Sequence, residues 1–115
     1  MAQSMFTTEN QGEVTMLTLT LNHSLHGDNE NFMKSFDELI DKGNKKIVLN
    51  LSETNYVSSL ILASLVYVQK KAKDSGGDLV FCGVKERVLE IIQMTNLDKV
   101  FTIVGTKEEA LAKFK

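Results

Sequence analysis

The sequence predicts an α/β fold, in which strands and helices alternate and most strands run parallel within one sheet. Short apolar runs of strand length alternate along the chain with amphipathic segments of helix length, in the order β, β, α, β, α, β, α, β, α. The chain has 115 residues, of which 43% are hydrophobic. This size and composition suit one compact domain that spans residues 1–115.

Three strands and one helix are predicted in the first half of the chain. The segment VTMLTLTL, residues 14–21, alternates large apolar side chains with threonine, which indicates a strand with one buried face. A shorter strand near residues 5–8 precedes it and is joined to it by a turn at residues 10–12. Apolar residues at helical spacing predict a helix over residues 28–42. The continuous apolar run KKIVLNL, residues 45–51, is typical of a strand buried on both faces.

Three helices and two strands are predicted in the second half. They are, in chain order, a helix that begins after Ser58 and ends at Gly76–Gly77, the buried strand DLVFCGV over residues 78–84, the helix KERVLEIIQMTNL over residues 85–97, the strand VFTIVG over residues 100–105 and the helix TKEEALAKFK over residues 106–115. Thr106 and Glu109 have the spacing of a capping box, in which two side chains satisfy free backbone N–H groups at the start of a helix.

Charge and composition argue against several classes of function. The 13 basic and 15 acidic residues give a net charge of −2, and the basic residues are scattered. Nucleic-acid binders concentrate basic residues on one face, so we expect no nucleic-acid partner. The longest apolar run, residues 58–68, is too short to cross a membrane, and the N-terminal stretch lacks the pattern of a signal peptide. The single cysteine, Cys82, excludes an internal disulfide. We therefore expect a cytoplasmic, soluble protein without direct membrane insertion.

Two adjacent serines, Ser58 and Ser59, stand where the second predicted helix begins. Either hydroxyl can act as the N-cap by accepting a hydrogen bond from a free backbone N–H. The same helix end carries a partial positive charge, so it also accommodates a phosphate on either serine. The first two turns of the helix are almost wholly apolar. The helix is either buried on every side or exposes an apolar surface that docks another protein, and both interpretations remain open.

Other candidate sites have weaker support. Ser58 and Ser59 lack the flanking glycines of the G-x-S-x-G nucleophile elbow, so a serine hydrolase is disfavoured. His23 and His26 stand three residues apart with no third ligand at an evident spacing, which argues against a zinc site. Cys82 lies within a predicted buried strand, where we expect a small, unreactive apolar side chain. No cofactor is expected.

Three segments resemble motifs of the STAS domain family. The segment IVLNLSETNYVSSLILASL, residues 47–65, resembles hhLDLSxVxFhDSSGLxxLL, in which h is apolar. KDSGGDLVFCGV, residues 73–84, resembles G-G-x-L-x-L-x-G, and TNLDKVFTIVGTKEEAL, residues 95–111, resembles G-L-x-x-x-F-x-I-x-x-T-x-x-E-A-L. The resemblance extends over residues 14–111. It implies a single STAS-like domain with a mixed four- to five-stranded sheet and helices packed mainly on one side.

The family is typified by bacterial anti-sigma factor antagonists, whose switching members are phosphorylated on a serine that corresponds to Ser59. The resemblance implies a non-enzymatic protein-binding module in bacterial signalling and transcription regulation. Its expected partner is a serine-kinase-type anti-sigma factor or a related serine protein kinase, and any nucleotide belongs to that partner. Ser59, or its neighbour Ser58, is the expected phosphoacceptor, and an oligomer is compatible with the resemblance. The residues implied at the partner-binding surface are His26, Asp28, Leu60, Ile61, Ala63 and Ser64.

The sequence departs from the family motif next to Ser59. Ser58 stands where the motif has aspartate, and Leu60 and Ile61 replace a small residue and a glycine. We expect Ile61 to add exposed apolar area at this turn. STAS-like domains also serve as constitutive subunits of transporters or of larger signalling assemblies, without phosphorylation. The departures favour this alternative, whereas the preserved serine pair favours the switch.

Overall fold

The computed structural model describes residues 6–19, 26–54, 57 and 59–114. The strands and helices are, in chain order, β1 (Phe6–Gln11), β2 (Val14–Leu19), α1 (His26–Asp41), β3 (Lys46–Asn50), α2 (Ser59–Asp74), β4 (Asp78–Cys82), α3 (Glu86–Met94), a 3₁₀ helix (Leu97–Lys99), β5 (Thr102–Ile103) and α4 (Lys107–Ala112). The predicted order of strands and helices is confirmed, with the 3₁₀ helix as an addition.

The five strands form one mixed sheet in the order β1-β2-β3-β4-β5. β1 and β2 form an antiparallel hairpin, in which Gln11 pairs with Val14. β2, β3, β4 and β5 each run parallel to their neighbours. Parallel neighbours need a crossover connection, and α1, α2 and α3 supply those crossovers. The predicted mixed sheet is therefore confirmed, with five strands.

Both faces of the sheet are buried at the central strands β2, β3 and β4. Odd-numbered and even-numbered strand residues alternate between two apolar clusters, as the two-residue period of a strand requires. The larger cluster joins the sheet to α1, α2 and α3, and its buried members include Leu17, Leu19, Phe36, Ile47, Leu49, Leu65, Val68, Leu79, Phe81, Val88 and Ile92. The smaller cluster joins the sheet to α4, and its buried members are Val14, Met16, Val48, Val80, Cys82 and Ala110. Three helices cover one face and one helix covers the other, which confirms the prediction that the helices pack mainly on one side.

Cys82 lies in the smaller cluster and is 1% exposed. Burial raises the pKa of its thiol. Because the thiolate is the reactive form, a raised pKa makes this side chain a weak nucleophile near neutral pH. The predicted burial of Cys82 is confirmed.

β1 and β2 differ from their predictions. β1 extends to Gln11, beyond the strand predicted near residues 5–8. β2 is buried on both faces, although its alternating sequence predicts one buried face. Thr15 is 2% exposed, and its hydroxyl donates a hydrogen bond to Asn44 Oδ1 at 2.9 Å. The reason is position, since β2 is an interior strand and the smaller cluster covers its second face.

The segment after α3 also differs from its prediction. α3 ends at Met94, whereas the sequence predicts a helix that continues to residue 97. Asn96 adopts a left-handed conformation with a φ of 61°, which asparagine tolerates better than most residues and which stops the helix. Leu97 then begins the separate 3₁₀ helix and packs against the larger cluster.

Two predicted helix ends are confirmed. At the end of α2, Gly76 has a φ of 89°, and its N–H donates to Lys73 O at 3.1 Å. The Gly77 N–H donates to Ala72 O at 2.9 Å, and these two bonds together define a Schellman motif. At the start of α4, Thr106 Oγ1 accepts a hydrogen bond from the N–H of Glu109 at 3.1 Å, as a capping residue does.

A polar contact joins α1 to α2 at the surface. The Tyr67 hydroxyl donates to the carboxylate of Asp37, with distances of 2.9 and 3.0 Å to its two oxygens. Lys71 Nζ lies 3.9 Å from Asp37 Oδ1. The hydrogen bond to Asp37 raises the pKa of Tyr67, because ionisation would remove the proton that the carboxylate accepts.

We expect Tyr67 to ionise at a higher pH in the native protein than an ordinary tyrosine, whose pKa is about 10. The pKa of Tyr67 is higher in the folded state than in the unfolded state. The contact therefore contributes fully to stability below the unfolded-state pKa, and this contribution is lost as the pH rises through the folded-state pKa. An alkaline titration followed by phenolate absorbance measures the shift. Tyr67→Phe should remove the part of the phenolate titration that occurs at the higher pH and so assign it to Tyr67. Asp37→Asn should lower the pKa of Tyr67 toward the ordinary value. An unchanged titration in Asp37→Asn would contradict the assigned cause.

Candidate functional site

Ser59 is the first residue of α2, and its side chain is exposed. It follows the loop that leaves the carboxyl end of β3 at Asn50. α1 and α3 follow the carboxyl ends of β2 and β4, which are the parallel neighbours of β3. The starts of α1, α2 and α3 therefore lie at one edge of the sheet, the edge at which open α/β sheets place their binding sites.

Hydrogen bonds attach the loop after β3 to both neighbouring strands. The Leu51 N–H donates to Cys82 O at 2.9 Å, at the end of β4. Thr54 is buried, and its Oγ1 donates to Leu19 O at 2.9 Å, at the end of β2. The Thr54 N–H donates to Leu51 O at 3.0 Å and closes a tight turn. The backbone that leads toward α2 is therefore held from two sides.

Asn50 and Gly83 pack at the base of this loop. Asn50 Oδ1 accepts a hydrogen bond from the Ser52 N–H at 3.0 Å. Gly83 has a φ of 65°, and a β-carbon there would lie 2.7 Å from Asn50 Oδ1 and 3.1 Å from Ser52 Cβ. Glycine alone combines this conformation with so close an approach. The glycine after β4 therefore lets the β3 loop sit directly against the end of the neighbouring strand.

The amino end of α2 lacks compensating negative charge. No acidic residue occupies its first turn, whereas Lys71 and Lys73 lie in its last turn. The two lysines are favourably placed at the negative end of the helix dipole, while the positive end at Ser59 has no acidic partner within the helix. A negative charge attached at Ser59 is therefore electrostatically favourable for this helix.

Two residues implied at the partner-binding surface are buried, and the prediction that they lie at the surface is wrong. Ile61 is 2% exposed and Ser64 is 1% exposed. Ile61 belongs to the larger apolar cluster, so it adds no exposed apolar area at the turn. The rotation of α2 on the sheet is the reason, because it directs these two positions inward and leaves Ala63, between them, exposed.

The other residues implied at the site stand at the same edge of the sheet or outside the described part of the chain. Leu60 lies in the first turn of α2. His26 and Asp28 lie in the first turn of α1. Ser58, the alternative phosphoacceptor, lies outside the described residues, as does His23.

α2 has a buried face and an exposed strip, so it is not buried on every side. Leu65 and Val68 are fully buried in the larger cluster. Ser59, Ala63 and Tyr67 are exposed and follow one another at intervals of four residues, which places them on one side of the helix. The exposed strip therefore begins at Ser59 and runs toward the contact with α1.

Thr54 is a buried residue of this site that is not among the predicted site residues. The family motif has an apolar valine at this position, which is the available signal for burial, whereas the partner of the hydroxyl, the carbonyl of Leu19, is distant along the chain. Within the described ranges, no group of three or more His, Cys, Asp or Glu side chains could hold a metal ion. No helix among the residues placed by the structure is long and apolar enough to cross a membrane.

The class of protein follows from a comparison of the sequence with models of protein families. The family model of the STAS domain matches residues 6–110, nearly the whole chain. The chain therefore belongs to the STAS domain family.

Named relatives carry the comparison further. A Thermotoga neapolitana protein, named as a candidate anti-sigma factor antagonist, is 34% identical over 98 residues, which are 84% of this chain and 87% of the relative. The crystal structure of a candidate anti-sigma factor antagonist from Thermotoga maritima has a TM-score of 0.85 at 30% identity, covering 95% of this chain and 93% of that one. The Bacillus cell fate determinant SpoIIAA in its phosphorylated form has a TM-score of 0.73, covering 96% and 99% of the two chains; at 17% identity it shows the fold alone.

Thr54→Val should lower the free energy of unfolding by about 1–2 kcal/mol, because it keeps the shape of the side chain and removes a buried hydrogen bond to Leu19 O. Urea denaturation measures the change. Ser52→Ala is the matched control in the same loop: its side chain is exposed, so we expect a change within about 0.5 kcal/mol. Equal losses in the two variants would mean that the Thr54 hydroxyl does not anchor the loop.

Proposed function

We propose that this chain is an anti-sigma factor antagonist that binds a serine-kinase-type anti-sigma factor and is released from it by phosphorylation of Ser59. Relatives named as candidate anti-sigma factor antagonists support this role. The proposed activity is protein binding rather than catalysis. The nucleotide and the phosphoryl transfer belong to the kinase partner.

The exposure of Ser59 is the observation that carries the proposal. A kinase must reach the hydroxyl of its substrate, and Ser59 is exposed while Ile61 and Ser64, on the same helix, are buried. The bonds of Leu51 and Thr54 to the neighbouring strands hold the loop that precedes it. A surface that is already ordered loses less conformational entropy when a partner docks on it.

The proposed docking surface consists of the starts of α1 and α2. Ala63 lies one turn after Ser59 and is exposed, so it offers a small, uncharged contact beside the phosphoacceptor. Leu60 in α2, and His26 and Asp28 in α1, complete the surface at the same edge of the sheet. Ile61 and Ser64 are not part of this surface, because both side chains are buried.

A phosphate on Ser59 would affect the chain and its partner differently. It adds a charge of about −1.5 to −2. The amino end of α2 has no acidic residue in its first turn, so the helix tolerates that charge without unfolding. A partner packed against this surface would have to desolvate the charge, which is strongly unfavourable without a matched cation. Phosphorylation would therefore act on binding and leave the fold intact.

Ser59→Asp should weaken binding to the purified kinase-type anti-sigma factor by at least about tenfold, which corresponds to about 1.4 kcal/mol. Ser59→Ala should bind about as tightly as the wild type, because it adds no charge. Isothermal titration calorimetry measures both affinities. Ala112→Asp is the matched charge control, since Ala112 is exposed on α4, across the sheet from α2, and should bind normally.

Phosphopeptide mass spectrometry of residues 47–70, after incubation with the kinase and ATP, should place the phosphate on Ser59 or on its neighbour Ser58. The phosphate should be lost in the corresponding alanine variant. Equal affinities of Ser59→Asp and Ser59→Ala, with no phosphate on either serine, would instead favour a constitutive STAS subunit of a transporter or larger signalling assembly.

A further inference from the structure

An open groove lies at the other end of α2, on the side of the helix next to the segment that follows the 3₁₀ helix. It encloses about 430 Å³ and is lined by Val66, Gln69, Lys70, Lys73, Asp74 and Val100. We call it the Gln69 groove. Gln69 is ten residues beyond Ser59, which is about 15 Å along the helix axis. The groove is therefore separate from the surface proposed to bind the anti-sigma factor.

Gln69 is the unusual residue of this groove. Its side chain is 2% exposed, and neither Nε2 nor Oε1 has a hydrogen-bond partner within the described part of the chain. Native proteins satisfy nearly all of their buried polar atoms, and an amide left without partners destabilises the folded state. A buried amide beside an open groove points to a partner that supplies the missing bonds.

The amide also defines the chemistry of that partner. Nε2 donates and Oε1 accepts, so its complement must offer both an acceptor and a donor close together. A peptide group has this pair in its own C=O and N–H. Gln69 lines the groove while its amide is covered, so the side chain must rotate for the amide to reach an occupant.

The other lining residues add two requirements. Val100 is 49% exposed and Val66 is partly buried, so an apolar side chain of the occupant would gain by covering them. Lys70 and Lys73 are exposed at the groove, and Asp74 is the one acidic lining residue. The excess of lysine favours a negatively charged occupant.

We propose that the Gln69 groove binds a short acidic peptide segment of a partner protein, with one large apolar side chain between Val66 and Val100. The peptide backbone pairs with the Gln69 amide, and acidic side chains pair with Lys70 and Lys73. A second copy of this chain fits less well. In a two-fold contact the same patch faces itself, so the lysines of one copy would face those of the other.

Selection from a random heptapeptide library displayed on phage tests the proposal. We expect the wild-type protein to enrich sequences that combine several Asp or Glu residues with one large apolar residue. A synthetic peptide of the enriched sequence should bind more weakly as NaCl is raised, because salt screens the ion pairs. Enrichment of basic or uncharged sequences, or of no sequence, would overturn the proposal.

Two exposed apolar residues provide a matched pair of variants. Val100→Asp places a negative charge in the groove and should lower the affinity for the enriched peptide by at least about tenfold. Met94→Asp is the control, since Met94 is 81% exposed and lies outside the groove, and it should bind like the wild type. Equal binding by Val100→Asp and the wild type would overturn the proposal. A wild-type dimer that Val100→Asp dissociates, measured by sedimentation, would assign the groove to a second copy instead.

Gln69→Met tests the role of the amide. Methionine has nearly the same length and carries no unpartnered polar atoms, so the melting temperature should rise by a few degrees. The same variant should lose at least about tenfold in affinity for the enriched peptide, because the hydrogen bonds between the Gln69 amide and the peptide backbone are lost. Unchanged peptide affinity in the more stable variant would overturn the proposed pairing.

Discussion

The burial of β3 on both faces is the constraint on which the rest of the structure depends. Ile47, Val48 and Leu49 are each 0% exposed, with β2 and β4 parallel on either side. A strand whose central side chains are buried on both faces needs helices on both faces of the sheet, and parallel neighbours need crossover connections. Each crossover leaves the carboxyl end of its strand, so α1, α2 and α3 all begin at the carboxyl edge of the sheet. The position of Ser59 is therefore a consequence of how the centre of the sheet is buried.

Pattern in the sequence predicted the elements and their order but not the rotation of α2. The strands are predictable because short apolar runs such as KKIVLNL fit few structures other than a buried strand. Turn glycines mark the ends of helices. The first two turns of α2 are apolar on nearly every side, so the sequence contains no period that distinguishes Ile61 and Ser64 from Ala63. Packing against the sheet makes that distinction. The hydrogen bond from Thr54 to the distant carbonyl of Leu19 gives no local signal in the sequence, and neither does the lack of partners for the buried Gln69 amide.

The departures from the family motif have different physical meanings. Ile61 stands in place of a glycine, and its side chain fills the apolar core beneath α2 rather than altering the surface. Ser59 remains exposed at the helix start. The two ends of α2 differ in charge. The amino end carries the positive end of the helix dipole with no acidic residue in its first turn, whereas Lys71 and Lys73 lie at the negative, carboxyl end.

Cys82 has a use that follows from its place beneath α4. The only thiol of the chain lies in the smaller apolar cluster, on the face of the sheet that the short helix α4 covers. A thiol reagent can reach it only when that cover opens, so the rate of its alkylation in native buffer reports the equilibrium between the closed and locally open states. The chain thus contains an intrinsic probe of local unfolding on the face of the sheet opposite Ser59, and no label needs to be introduced.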